Sequence, residues 1–176
     1  MRITVSGLPG SGTTSLGRAI ATEYGFGFIS AGEVFRDYAR EQEMDLASFG
    51  RLAESDPVID RLIDDRQREI GMSSDDIVIE GRLAGRMIDN ADLRIWLTAS
   101  PKCRAQRIAK RDIQDGDTAV AVTVERERSE AQRYRAYYGI DIGDLSWYDM
   151  VLSSEIFGIH SLVAIVNTAI NELFKR

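Results

Sequence analysis

Cysteine occurs once in the 176 residues, at Cys103, histidine once, at His160, and proline three times. A lone thiol excludes an intramolecular disulfide and a cysteine-based zinc cluster, and leaves a packed or incidental side chain. His160 reads as an ordinary surface or packing residue of the last helix. There is no proline-rich linker, internal repeat or low-complexity tract, so no domain boundary can be drawn and the chain reads as one domain over 1–176. No apolar run approaches the roughly 20 residues that span a bilayer, and no charged-then-apolar leader precedes the first apolar strand. A soluble, cytoplasmic protein without a membrane partner is expected.

Lysine is almost missing as well. The 22 basic residues include only Lys102, Lys110 and Lys175; the others are arginine. A guanidinium fork matches phosphate oxygens in bidentate fashion, which suits a phosphate-handling site, and a general compositional bias accounts for the excess equally well. The net charge of −6 argues against broad contact with nucleic acid, which needs a basic face. Small-molecule ligands remain. A monomer is expected, with a dimer left open.

What is present is alternation. The segments "RITVS" (2–6), "FGFIS" (26–30), "DIVIEG" (76–81), "LRIWLTA" (93–99) and "YDMVLSS" (148–154) are short and rich in β-branched or aromatic residues, and read as buried strands. Between them, helical spacing links Leu16, Ala19, Ile20 and Tyr24; Val34, Phe35 and Tyr38; Leu46, Phe49 and Leu52; and Ile59, Leu62, Ile63 and Ile70. Further helices are predicted over 101–112, with Ser100 as N-cap and Pro101 at the first position, over 118–137, and over about 160–175. The pattern implies an α/β fold of three layers, a five-stranded parallel sheet with helices on both faces. Two excursions interrupt it: helices over about 31–72, a candidate substrate cap, and the charged stretch 110–118, a candidate short lid.

Gly7-Leu8-Pro9-Gly10-Ser11-Gly12-Thr13-Thr14 fits the phosphate-binding loop G-x-x-x-x-G-K-[ST] except at the lysine, where Thr13 stands, and it lies between a predicted strand and a predicted helix. Its backbone N–H groups can converge on phosphate oxygens at the positive end of the following helix, with Thr14 placed to hold Mg²⁺. The charge that lysine would supply must come from elsewhere, and arginines are the available source.

Taken with this loop, "ISAGEVFR" (29–36), "VIEGR" (78–82), "RIAKR" (107–111) and Arg126-x3-Glu130-x2-Arg133 resemble, in order and interval, the nucleoside monophosphate kinase family, over nearly the whole chain. The best fit is its archaeal-type cytidylate kinase branch, as the run "SEAQRYRAYYGIDIGDLSWYD" (129–149) also suggests. The resemblance implies a P-loop kinase domain with a helical monophosphate-binding cap and a short lid. ATP would lie on residues 7–14, Ser15 and Arg107, and the monophosphate on Ser30, Arg36 and Arg82. It implies that Glu80 orders Mg²⁺ through water, and that Arg111, Arg126 and Arg133 act on the transferring group, with Glu130 orienting one or both of its arginine neighbours. Arg104, Arg128 and Arg135 are read as solvated. Leu83 stands where bacterial cytidylate kinases carry aspartate. The reaction implied is CMP + ATP giving CDP + ADP, with dCMP as a further acceptor. An adenylate or uridylate kinase of the same family, a non-catalytic nucleotide-binding module and an NTP-hydrolysing switch stay open as alternatives.

Overall fold

A computed structural model describes residues 1–112 and 116–175. In chain order the elements are β1 (Arg2–Gly7), α1 (Thr13–Tyr24), β2 (Gly27–Ser30), α2 (Ala31–Glu41), α3 (Leu46–Ser55), α4 (Pro57–Ser73), β3 (Ile77–Glu80), α5 (Ala84–Met87), β4 (Leu93–Thr98), α6 (Pro101–Asp112), α7 (Gly116–Tyr138), β5 (Met150–Ser153) and α8 (Ile159–Phe174). The strands form one parallel sheet in the order β2-β3-β1-β4-β5. The expected strands and the 101–112 helix are all present. The helix predicted over 118–137 starts at Gly116. The described part of the 110–118 stretch is helical, and residues 113–115 lie outside the described residues.

Strand alternation sends side chains to two cores. Ile3, Val5, Val78, Ile95 and Leu97 meet Leu16 and Ile20 of α1 and Leu162, Val166 and Ile170 of α8, the last three spaced by four residues on one helical face. On the other face Ile29, Ile77 and Ile79 pack with Ala84 and Ile88, with Val34 of α2 and Ile70 of α4 against them. Each fully buried Ile, Leu or Val here stabilises the fold by about 1.5–3 kcal/mol. Helix starts are set locally: Asp45 accepts from Ser48 N (2.9 Å), Asp56 accepts from Val58 N (2.9 Å) ahead of Pro57, and Ser100 Oγ accepts from Cys103 N (3.2 Å).

Strand register decides what meets at the carboxyl edge. Val5 and Ser30 both lie beside Glu80, and Gly7 lies beside Leu97. The loop after β1, the end of β3 and the start of α2 are thereby brought to one edge, where ligands of open parallel sheets bind. Helices α2, α3 and α4 fill the interval read as a candidate cap, and α2 begins at the residue after β2 with no intervening loop.

The single turn α5 is too short to show a helical period in sequence. It lies close under the sheet, where Gly85 N donates to Ser6 Oγ (3.2 Å). A Cβ at Gly85 would stand 2.5 Å from Tyr148 Cε1, in a ring held against Trp96 at 5.1 Å between centroids. Gly85→Ala is therefore expected to destabilise by about 1–3 kcal/mol through overpacking, read as a lower urea midpoint at unchanged m-value.

Candidate active site

The loop after β1 turns on Ser11 N donating to Leu8 O (3.1 Å), and enters α1 through Gly10 at φ +80° and Gly12 at φ +91°. Gly10 has a second constraint, because a Cβ there would lie 2.6 Å from the backbone oxygen of Arg104. The loop thus rests directly on α6. Ser11 Oγ is fully buried and has no hydrogen-bond partner among the described residues. Thr14 and Ser15, in the first turn of α1, are exposed.

Three arginines donate to carbonyls of this loop. Arg82 Nη1 reaches Gly7 O (3.2 Å), Arg104 Nη1 reaches Pro9 O (3.3 Å) and Arg107 Nη1 reaches Gly10 O (3.3 Å). Two of them are also held by α7: Arg82 Nε donates to Glu130 Oε2 (3.0 Å), and Arg104 pairs with both oxygens of Glu127. Burial opposes the charge on Arg82, but the Glu130 carboxylate, with Tyr134 and Glu80 nearby, outweighs it and raises the guanidinium above its ordinary range. Arg107 has neutral hydrogen-bond partners among the described residues, Gly10 O, Ser154 Oγ (2.9 Å) and Ser154 O (2.7 Å).

Glu80 is the carboxylate of the site, 4 % exposed. Its Oε1 accepts from Thr13 Oγ1 (2.7 Å) and its Oε2 from Ser30 Oγ (2.5 Å), while its backbone oxygen accepts from Gln67 Nε2 of α4 (2.5 Å). Arg36 is exposed on α2. A Cβ at Gly32 would lie 3.5 Å from Arg36 Nη1 and 3.6 Å from Ser30 Oγ, so both side chains flank Gly32 at the cap entrance.

The structure thus brings together the loop, Ser30, Glu80, Arg82 and Arg107, with Arg36 at the margin. Arg133 donates to Ser129 Oγ (2.6 Å) on its own helix. The side chains of Arg111 and Arg126 lie outside the described residues. One expectation is corrected: Arg104 is not a solvated arginine but is 3 % exposed and clasps the loop. Glu130 takes Arg82 as a partner, a contact absent from the sequence reading. Glu127 and Gln67 were missed as well. Gln67 is 2 % exposed and sits at i+4 from Ile63 and i−3 from Ile70, a polar residue on an apolar stripe, which is a legible sign of a buried hydrogen bond.

A cavity of about 840 Å³ lies elsewhere, between α2, α4 and β2. Glu33, Asp37, Glu41, Asp65 and Glu69 line it against a single Arg66, and phosphate would be repelled there. No group of three or more His, Cys, Asp or Glu able to hold a metal occurs among the described residues. The oxygen donors at the sheet's carboxyl edge, the hydroxyl of exposed Thr14 and the Glu80 carboxylate, are of the kind a hard divalent ion takes. No helix among the described residues is long and apolar enough to cross a membrane.

A glycine-rich loop between β1 and α1, with a carboxylate at the end of the neighbouring strand, defines a P-loop protein of the small-molecule kinase type. Solved structures agree on the fold. A shikimate kinase from Bacteroides thetaiotaomicron superposes with a TM-score of 0.66 at 14 % identity, covering 97 % of this chain and 98 % of that one. A gluconokinase from Sinorhizobium meliloti does so with a TM-score of 0.59 at 16 % identity, covering 99 % and 96 %. Residues 2–156 match the model of the cytidylate kinase-like family, and the chain belongs to that family. It is 63 % identical over 176 residues to the cytidylate kinase of Methanoculleus marisnigri (100 % of this chain, 97 % of the relative). To that of Methanocorpusculum labreanum it is 58 % identical over 176 residues (100 % and 99 %).

The Arg104–Glu127 pair generates a test of the clasp. Arg104→Met keeps the volume but leaves a partly buried carboxylate without its partner, and is expected to cost about 3 kcal/mol in urea denaturation. Adding Glu127→Leu should recover much of that loss, because the unpaired charge is then gone.

Proposed function

We propose that the chain transfers the γ-phosphoryl group of ATP to CMP, and also to dCMP, giving the diphosphate and ADP. The observation that carries this reading is the joining of two sites at one carboxylate: Glu80 bonds Thr13 of the donor loop and Ser30 of the cap entrance, with Arg36 beside Ser30. A nucleotide sensor or a hydrolytic switch has no need of a second phosphate site. Membership of the cytidylate kinase-like family supports CMP over AMP or UMP as acceptor.

The chemistry asks the protein mainly to position reactants and to offset charge spread over the transferring group. The acceptor oxygen is already ionised near neutral pH, so no general base is required. Backbone N–H groups of residues 10–14 and the N-terminus of α1 cradle the donor phosphates. Arg36 and Arg82 receive the acceptor phosphate, and Arg82 stays charged throughout because Glu130 holds it so. Arg107 lies against the donor nucleotide. Mg²⁺ accompanies ATP and offsets charge on its phosphates, with Thr14, and Glu80 through water, as the residues that would hold it.

The missing lysine is replaced by arginine. Arg107 brings a guanidinium to Gly10 with no carboxylate among its hydrogen-bond partners in the described residues, and Arg111, Arg126 and Arg133 supply further charge on closure of the lid at about 110–118. Closure also excludes water, so that ATP is not simply hydrolysed. In the cytoplasm, the compartment we assign, a monomer suffices for this chemistry.

A coupled assay with each monophosphate in turn tests the reading. CMP is expected to give the highest kcat/KM, and an equal or greater value with AMP would overturn the assignment. Arg36→Ala should lower kcat/KM for CMP by roughly 2–4 kcal/mol of transition-state stabilisation while ATP affinity stays near that of the parent. Unchanged CMP kinetics would remove Arg36 from the site.

A further inference from the structure

Thr13 occupies the position at which most such loops place lysine, and its side chain does not face outward as a shortened substitute. It is 6 % exposed and donates its one hydroxyl proton to Glu80 Oε1. Ser30 is 2 % exposed and holds the N-cap position of α2, where a serine ordinarily accepts from the N–H groups of the first turn. Ser30 makes no such cap bond. Its proton goes to Glu80 Oε2, the other oxygen of the same carboxylate. A hydroxyl has a single proton to donate, so both residues are committed to Glu80 and present only lone pairs to anything else.

The backbone of Glu80 is itself fixed. β3 is paired on both sides at this residue, with Val5 and with Ser30, and Gln67 of the cap helix α4 donates to its carbonyl. With the backbone held, the side-chain torsions place the carboxylate, and one hydroxyl holds each of its two oxygens. A lysine at position 13 could leave Glu80 for a phosphate by swinging its long stem. Threonine is short and stiff at χ1, and its hydroxyl is held on Glu80.

We infer that Thr13 and Ser30 are positioning residues that couple the donor loop to the acceptor cap through the Glu80 carboxylate. The inference rests on the reading of the site as one that holds ATP and CMP together. Donor phosphates bind the backbone of the turn that carries Thr13, and the acceptor binds the helix start that carries Ser30. Ordering either end orients Glu80 for the other, so each nucleotide should tighten the binding of its partner, and by the same factor in both directions.

Calorimetry of CMP binding, with and without the non-hydrolysable ATP analogue AMP-PNP and Mg²⁺, tests this in the full chain. In the parent the analogue should tighten CMP binding by about tenfold. Thr13→Val and Ser30→Ala should each bring that factor below about twofold, the double variant should lose nothing further, and Thr13→Ser should restore it. A merely structural role would lower the melting temperature and leave the factor in place. Should Thr13→Val fail to fold, Ser30→Ala and Thr13→Ser carry the same comparison. A parent that binds the analogue but no CMP overturns the functional reading and the inference with it. A parent that binds both, and whose coupling is absent or survives both substitutions, overturns the inference alone.

Discussion

A carboxylate at 4 % exposure has to be satisfied where it lies, and the arrangement of this protein's working edge follows from how Glu80 is satisfied. Its two oxygens take hydroxyls from the first turn of α1 and from the last residue of β2, and its carbonyl takes an amide from α4. Three segments far apart in sequence are therefore placed relative to one another by one side chain and its backbone. Sheet register prepares this meeting, since Val5 and Ser30 already flank Glu80, but register alone would leave the loop and the cap free to settle independently.

The long helix α7 provides a second frame around the same edge. Glu127, Glu130, Tyr134 and Tyr138 follow one helical stripe. Along it Glu127 holds Arg104, Glu130 holds Arg82, and Tyr138 Oη donates to Asp64 Oδ2 of α4 (2.8 Å). Because Arg104 and Arg82 also donate to loop carbonyls, α7 is fastened to the loop after β1 at one level and to α4 at another.

The strands were legible because buried parallel strands are compact runs of β-branched and aromatic residues, and the loop was legible because glycine spacing, strand and helix coincide at residues 2–24. Ser30, Glu80 and Arg82 were named through the resemblance of "ISAGEVFR" and "VIEGR" to the kinase family, and the register of β2, β3 and β1 brings them to one edge beside the loop. Arg104 was misread. On a helix as charged as "PKCRAQRIAKRD" the arginine that turns inward has the same neighbours in sequence as those that turn outward, and only the packing of Gly10 on α6 separates them. The partner of Glu130 was hidden by sequence distance. Arg126 and Arg133 are near it along the chain, and Arg82 becomes its neighbour only through the fold. Helix α5, a single turn, has no period to read.

The cations placed at the sheet's carboxyl edge among the described residues, Arg82, Arg104 and Arg107, are guanidinium groups, and Lys102, Lys110 and Lys175 are all exposed. The reagents and metabolites that attack proteins at amines, by acylation, carbamylation or Schiff-base formation, consequently find no target among the residues proposed to bind phosphate. A conventional loop of this kind stakes its activity on one primary amine that such chemistry can silence. Here the equivalent vulnerability is shifted to dicarbonyls, which condense with arginine, and several guanidiniums share it.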